Sequence, residues 1–133
     1  TTDSSFVIYH STGLDSWTLF QTIGSGTFTG SWGIGGSVYV FGITDILAMT
    51  SLTGGKFIKQ TNPVRATINA MWGNSATNIY AVGYGGLVLR STDKSTWEQA
   101  PGVGDAIELL GIWGSGPDDI YIVGTGGFVA HLE

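Results

Sequence analysis

Hydrophobic positions in this chain fall in short runs, and the runs recur. Leu109–His131 reads LLGIWGSGPDDIYIVGTGGFVAH, with one apolar run closing on Trp113-Gly114, a polar turn, a second run Ile120–Gly124, a glycine turn and a third run. Ile68–Arg90 (INAMWGNSATNIYAVGYGGLVLR) repeats the pattern, and Phe28–Thr50 (FTGSWGIGGSVYVFGITDILAMT) repeats it more loosely. Trp32, Trp72 and Trp113 stand 40 and 41 residues apart, while Tyr39, Tyr80, Tyr121 and Gly42, Gly83, Gly124 keep a step of 41. Runs rich in Val, Ile, Tyr, Phe and Trp between glycine turns predict β-strands, and no helical spacing competes with them.

A second landmark keeps the same step. Ser11–Trp17 (STGLDSW), Ser51–Phe57 (SLTGGKF) and Ser91–Trp97 (STDKSTW) each begin with Ser and close on an aromatic residue. One repeat therefore holds four predicted strands, in the best copy Ile68–Trp72, Asn78–Val82, Leu87–Arg90 and Trp97–Gln99. Their short links predict antiparallel hairpins. Four short strands in about 40 residues is the blade of a β-propeller. The reading is an all-β chain forming one propeller repeat domain over 1–133. It has a partial blade at 6–20, blades at 28–60 and 68–100, and a partial blade at 109–133.

The repeat columns carry expectations about packing. Gly30, Ala70 and Gly111 precede each Trp by two residues and read as room for a neighbouring blade. Trp32, Trp72 and Trp113 read as core. The second strands, apolar throughout, read as covered on both faces, and Gly42, Gly83 and Gly124 as positive-φ turn residues. Thr1–Ser5 reads as a loose polar start.

These columns resemble the Trp-Gly/Tyr-x-Val-Gly repeats of bacterial β-propellers. The Ser-led segments resemble a degenerate Asp-box of the sialidase-type (BNR) repeats, Ser-x-Asp-x-Gly-x-x-Trp. Ser91, Asp93 and Trp97 keep its outline, but the segment is one residue short and Ser95 stands where Gly belongs. Gly13 and Thr53 replace the Asp in the other copies. The resemblance implies that Asp93 shapes the hairpin between third and fourth strands.

Composition narrows the function. With 11% charged residues and 42% hydrophobic, the 133 residues suit a packed core and not a disordered segment. A net charge of −5 with five Lys and Arg offers no footprint for nucleic acid. The absence of Cys excludes disulfides and thiolate metal sites. No apolar run approaches the roughly 18–20 residues of a membrane span.

Candidate chemistry is sparse. Arg65 and Arg90 are too few for a sialidase-like carboxylate clamp, so the reading is not an enzyme and needs no cofactor. His10 and His131 read as polar strand ends, and Asp118-Asp119 as a turn capping local backbone N–H groups. The ligand-binding candidates are Arg65, Tyr84 and Asp105 on one loop face, joined by Asn62, Asp45, Thr27 and Thr125. Trp17 and Trp97, at the start of the outermost strands, add half-exposed aromatic surface. Gly-rich turns, an aromatic and a few polar groups suit a neutral sugar. The leading expectation is a non-catalytic, multivalent, lectin-like carbohydrate binder, in an extracellular or cell-surface setting. The alternatives are a structural or protein-interaction propeller, or a fragment of a larger surface protein. About three blades per chain fall short of the roughly four to eight that close a ring. A homodimer closing a six-bladed ring is therefore expected, with Phe6–His10 and Phe128–His131 competing for one third-strand slot.

Overall fold

A computed structural model describes residues 5–13 and 15–132. Its strands are β1 (Ser5–His10), β2 (Thr18–Ser25), β3 (Phe28–Ile34), β4 (Ser37–Gly42), β5 (Ile46–Met49), β6 (Ile58–Gln60) and β7 (Ile68–Ser75). There follow β8 (Asn78–Gly83), β9 (Val88–Ser91), β10 (Glu98–Gln99), β11 (Leu109–Gly116), β12 (Asp119–Gly124) and β13 (Phe128–Leu132). Two short 3-10 turns, Tyr84–Gly86 and Thr125–Gly127, link β8 to β9 and β12 to β13. The expected loose start lies at residues 1–4, outside the described residues, and Ser5 already belongs to β1.

The strands form four antiparallel meanders in chain order: β1-β2, β3-β4-β5-β6, β7-β8-β9-β10 and β11-β12-β13. The chain is all-β, and the sheets stack face to face with β3, β7 and β11 side by side at one end. Two hydrogen bonds 40 residues apart tie these inner strands together. Thr29 Oγ1 donates to the Ile68 carbonyl (3.0 Å), and Asn69 Nδ2 to the Leu109 carbonyl (2.8 Å).

Apolar side chains fill the spaces between sheets. The largest cluster, between the two four-stranded sheets, includes Tyr39, Phe41, Met71, Ile79, Leu89 and Trp97. Each large side chain fully buried in this way stabilises the stack by about 1.5–3 kcal/mol. The expectation that second strands are covered on both faces holds for β4 and β8, but β12 alternates between covered and open positions. The reason is position: among the described residues no further sheet follows β11–β13.

The same cause corrects the tryptophan expectation. Trp32 and Trp72 are half-buried, whereas Trp113 is 62% exposed. Trp32 and Trp72 each lie against the glycine that follows the Trp of the next sheet. A Cβ on Gly73 would stand 3.1 Å from Trp32 Cη2, and one on Gly114 would stand 2.8 Å from Trp72 Cη2. Gly73 and Gly114 therefore make the close approach between blades. Gly30 and Gly111 instead yield room to the partner strand of their own sheet, to Phe41 and Val123.

The glycines closing the second strands also have a different reason from the one expected. Gly83 and Gly124 are extended (φ −174° and −155°), and the positive φ falls on Gly85, Gly86, Gly126 and Gly127. A Cβ on Gly42 or Gly83 would stand 1.9 or 1.8 Å from the carbonyl oxygen of Thr27 or Thr67. Close backbone approach, not a left-handed turn, requires glycine there.

Candidate functional site

At each of the last three sheets one backbone bond locks the segment entering the first strand to the turn after the second. The donors are Ile43, Tyr84 and Thr125 N–H, and the acceptors are the carbonyls of Thr27 (3.1 Å), Thr67 (2.9 Å) and Glu108 (2.9 Å). These loops share one face of the stack. On it lies a polar cleft of about 300 Å³ lined by Thr44, Asp45, Lys59, Thr61, Asn62 and Arg65. Lys59 Nζ sits 3.4 Å from Asp45 Oδ1. Buried Asn62 builds the loop, accepting from Val64 N–H (3.1 Å) and Arg65 N–H (2.9 Å) and donating to the Ala66 carbonyl (3.0 Å). That bracing holds Arg65 at φ 58°.

Of the five candidate ligand residues, the cleft contains Arg65 alone. Tyr84, 63% exposed, opens the 3-10 turn of the next sheet, and exposed Asp105 lies in the loop before β11. Trp17 is 71% exposed at the start of β2. Trp97, expected to be half-exposed, is only 6% exposed. Its indole meets the Tyr39 ring edge-on at 5.9 Å, and its Nε1 donates to Gln60 Oε1 (2.8 Å). An outer-strand aromatic here is a wedge between sheets. Multivalent identical sites are not repeated either: the turn positions of Thr44 and Asp45 are glycines in the next two sheets, Gly85-Gly86 and Gly126-Gly127.

Asp93 accepts from Ser95 N–H (2.9 Å), Thr96 N–H (2.8 Å) and Thr96 Oγ1 (2.6 Å), which hold its carboxyl down at about 2. This is the hairpin-shaping role the Asp-box resemblance implies. Asp119, expected to cap backbone, instead holds side chains. It accepts from Ser115 Oγ and lies 2.6 Å from His131 Nε2, and His131 stacks on Tyr121 with ring centroids 4.2 Å apart. The Ser115 hydroxyl and then His131 hold its carboxyl below the ordinary range.

Ser115 and His131 meet through Asp119, which accepts from the Ser115 hydroxyl with one carboxylate oxygen and faces His131 with the other. The same clip occurs 41 residues earlier. Asn78 donates to Asn74 (2.6 Å), Arg90 donates twice to Asn78 Oδ1 (3.0 and 2.9 Å), and the guanidinium lies over Tyr80. With Arg in place of His, the earlier clip joins β7, β8 and β9. The common step of 41 at these four positions was legible in the sequence, unlike the side chains' directions.

A second cavity, about 410 Å³ and largely apolar, lies between the sheets β7–β10 and β11–β13. Its walls include Tyr80, Ile112, Ile120, Ile122 and Ala130.

No protein-family model matches the sequence, and neither does any curated protein. Among solved structures the chain is similar to YCF48 from Cyanidioschyzon merolae, a β-propeller. The TM-score is 0.76 at 17% identity, over 98% of this chain and 45% of that one. At that identity the likeness shows the fold: the four sheets are laid out as in a β-propeller. The chain spans less than half the length of the structure it matches.

Proposed function

We propose that this chain is a non-catalytic interaction module of the β-propeller type, whose ligand is another polypeptide. The observation that carries the reading is the outer face of the β11–β13 sheet. Trp113, Tyr121, Val123 and Val129 are all exposed there, in register across the three strands. In the preceding sheet, Trp72 at the corresponding place is packed against Gly114. A continuous apolar face of this kind marks a contact surface.

A second reading, a neutral-carbohydrate binder, is favoured by the cleft at Asp45, Lys59, Asn62 and Arg65, whose mixed donors and acceptors suit hydroxyl groups. No aromatic residue lines that cleft for a sugar ring to stack on. A glycan array separates the two. The interaction reading expects no signal, while neutral-sugar binding that Arg65→Ala abolishes would establish the carbohydrate reading in its place.

A further inference from the structure

The clip that joins strands in the last two sheets is missing from the first complete one. Its central residues, Asn78 and Asp119, stand two places before Tyr80 and Tyr121, and Arg90 and His131 pair opposite those tyrosines. Around Tyr39 the same places belong to Ser37 and Ala48, and Gly33 stands where Asn74 and Ser115 supply the third member. Small residues thus replace interlocked side chains.

A cleft of about 310 Å³ opens at Ser37. Thr50, Ser51 and the Gly35-Gly36 turn line it from the β3–β6 sheet, and Lys94 lines it from the turn between β9 and β10. Both sheets have all four strands, so the cleft is not a product of where the chain begins or ends.

The cleft holds an unused donor. Ser37 is 4% exposed and shares the side of β4 that carries Tyr39 and Phe41 toward the next sheet. Its hydroxyl has no hydrogen-bond partner among the described residues. A buried hydroxyl left unpaired is unfavourable, and native chains rarely leave one without a partner from outside. Thr50, also buried, accepts from Leu52 N–H at its Oγ1 (3.1 Å), which leaves its O–H free to donate.

Lys94 brings the charge. Its backbone stands at φ 71°, and its carbonyl accepts from Gln60 Nε2 (2.7 Å) and Tyr39 OH (3.4 Å), both of the facing sheet. The turn is therefore anchored across the gap. Among the described residues the Lys94 ammonium forms no ion pair, since neighbouring Asp93 is turned to Ser95 and Thr96. The described lining contains no Asp or Glu.

We propose that this cleft binds a carboxylate group, with Lys94 supplying the charge and the Ser37 and Thr50 hydroxyls donating to its oxygens. Hydroxyl donors gathered around one cation suit an oxyanion. Ionised Asp93, next to Lys94, makes a doubly charged phosphate the poorer fit and a single charge the better one. The site is independent of the interaction reading, whose surface is the outer face of β11–β13. It differs from the neutral-sugar cleft in both place and charge.

Acetate is the probe, titrated into the intact chain against sodium chloride at equal ionic strength. The amide signals of Gly35, Gly36 and Lys94 report on the cleft by heteronuclear NMR. Saturable shifts at these amides are expected with acetate and not with chloride. Ser37→Ala and Lys94→Asn should each weaken acetate by about tenfold or more, the scale of a hydrogen bond to a charged group. Ser37→Ala removes a hydroxyl that has no bond to lose, and Asn tolerates the left-handed backbone of position 94. Lys94→Arg should retain binding. Competition by a glutamate-containing peptide with an amidated C-terminus places the carboxylate on a polypeptide, and competition by succinate alone places it on a small acid. No saturable shift, equal shifts under chloride, or tighter binding of phosphate than of acetate would overturn the proposal. So would an affinity unchanged in either weakening variant.

Discussion

Trp72 lies over Gly114, its Cη2 2.8 Å from where a Cβ would be, and Trp32 stands in the same relation to Gly73. The Trp of one blade is thus seated on the Gly of the next. Gly114→Val must displace either Trp72 or the backbone at Asp119, whose carbonyl lies 2.7 Å from the same point. Overpacking of this kind costs roughly 1–3 kcal/mol. Among the described residues Trp113 has no such seat and is 62% exposed, and Trp113→Ala should cost under about 1 kcal/mol, not the 3–5 of a buried Trp. Urea denaturation of both variants measures the contrast.

Gln60 joins two blades through two bonds, accepting from Trp97 Nε1 at 2.8 Å and donating to the Lys94 carbonyl at 2.7 Å. Gln60→Ala leaves the indole N–H buried without its acceptor. A loss of about 1–3 kcal/mol is expected, read as a lower urea midpoint. An unchanged midpoint would mean the wedge is held by packing alone.

Asp93 has a carboxyl pKa of about 2, below the ordinary 3.8, because Thr96 and Ser95 hydrogen-bond its charged form. A depressed carboxylate contributes stability that is complete above the ordinary value and lost as pH falls toward 2. Thermal midpoints followed from pH 5 to 2 should therefore fall less steeply in Asp93→Asn than in the parent chain.

Tyr39 works in the opposite direction. Burial first, and Asp93 second, push its hydroxyl from 10 up to about 12. A raised group contributes stability that is complete below the ordinary value and lost as pH rises from 10 to 12. Tyr39→Phe should flatten the alkaline limb of the stability profile. A profile as steep as that of the parent chain would show that Tyr39 does not carry it.

The repeat was legible because strands alternate and turns use glycine, so every predicted strand has its counterpart among the observed ones. Roles set by neighbouring sheets were less legible. Trp113 stands in the same repeat column as Trp72, and its place in the last sheet exposes it. Gly83 looks like a turn glycine, yet what demands it is the Thr67 carbonyl. Trp97 looked half-exposed because it begins an outermost strand, but the direction of its side chain sends it between sheets. The apolar cavity was invisible for the same reason, although the step of 41 through Tyr80, Ile120 and Ile122 was already present.

The stability of Trp97→Ala bears most directly on the claim that an aromatic wedge holds the two four-stranded sheets together. Urea denaturation should show a loss of about 3–5 kcal/mol, as large core truncations do. A loss under about 1 kcal/mol, at a residue only 6% exposed, would contradict the account.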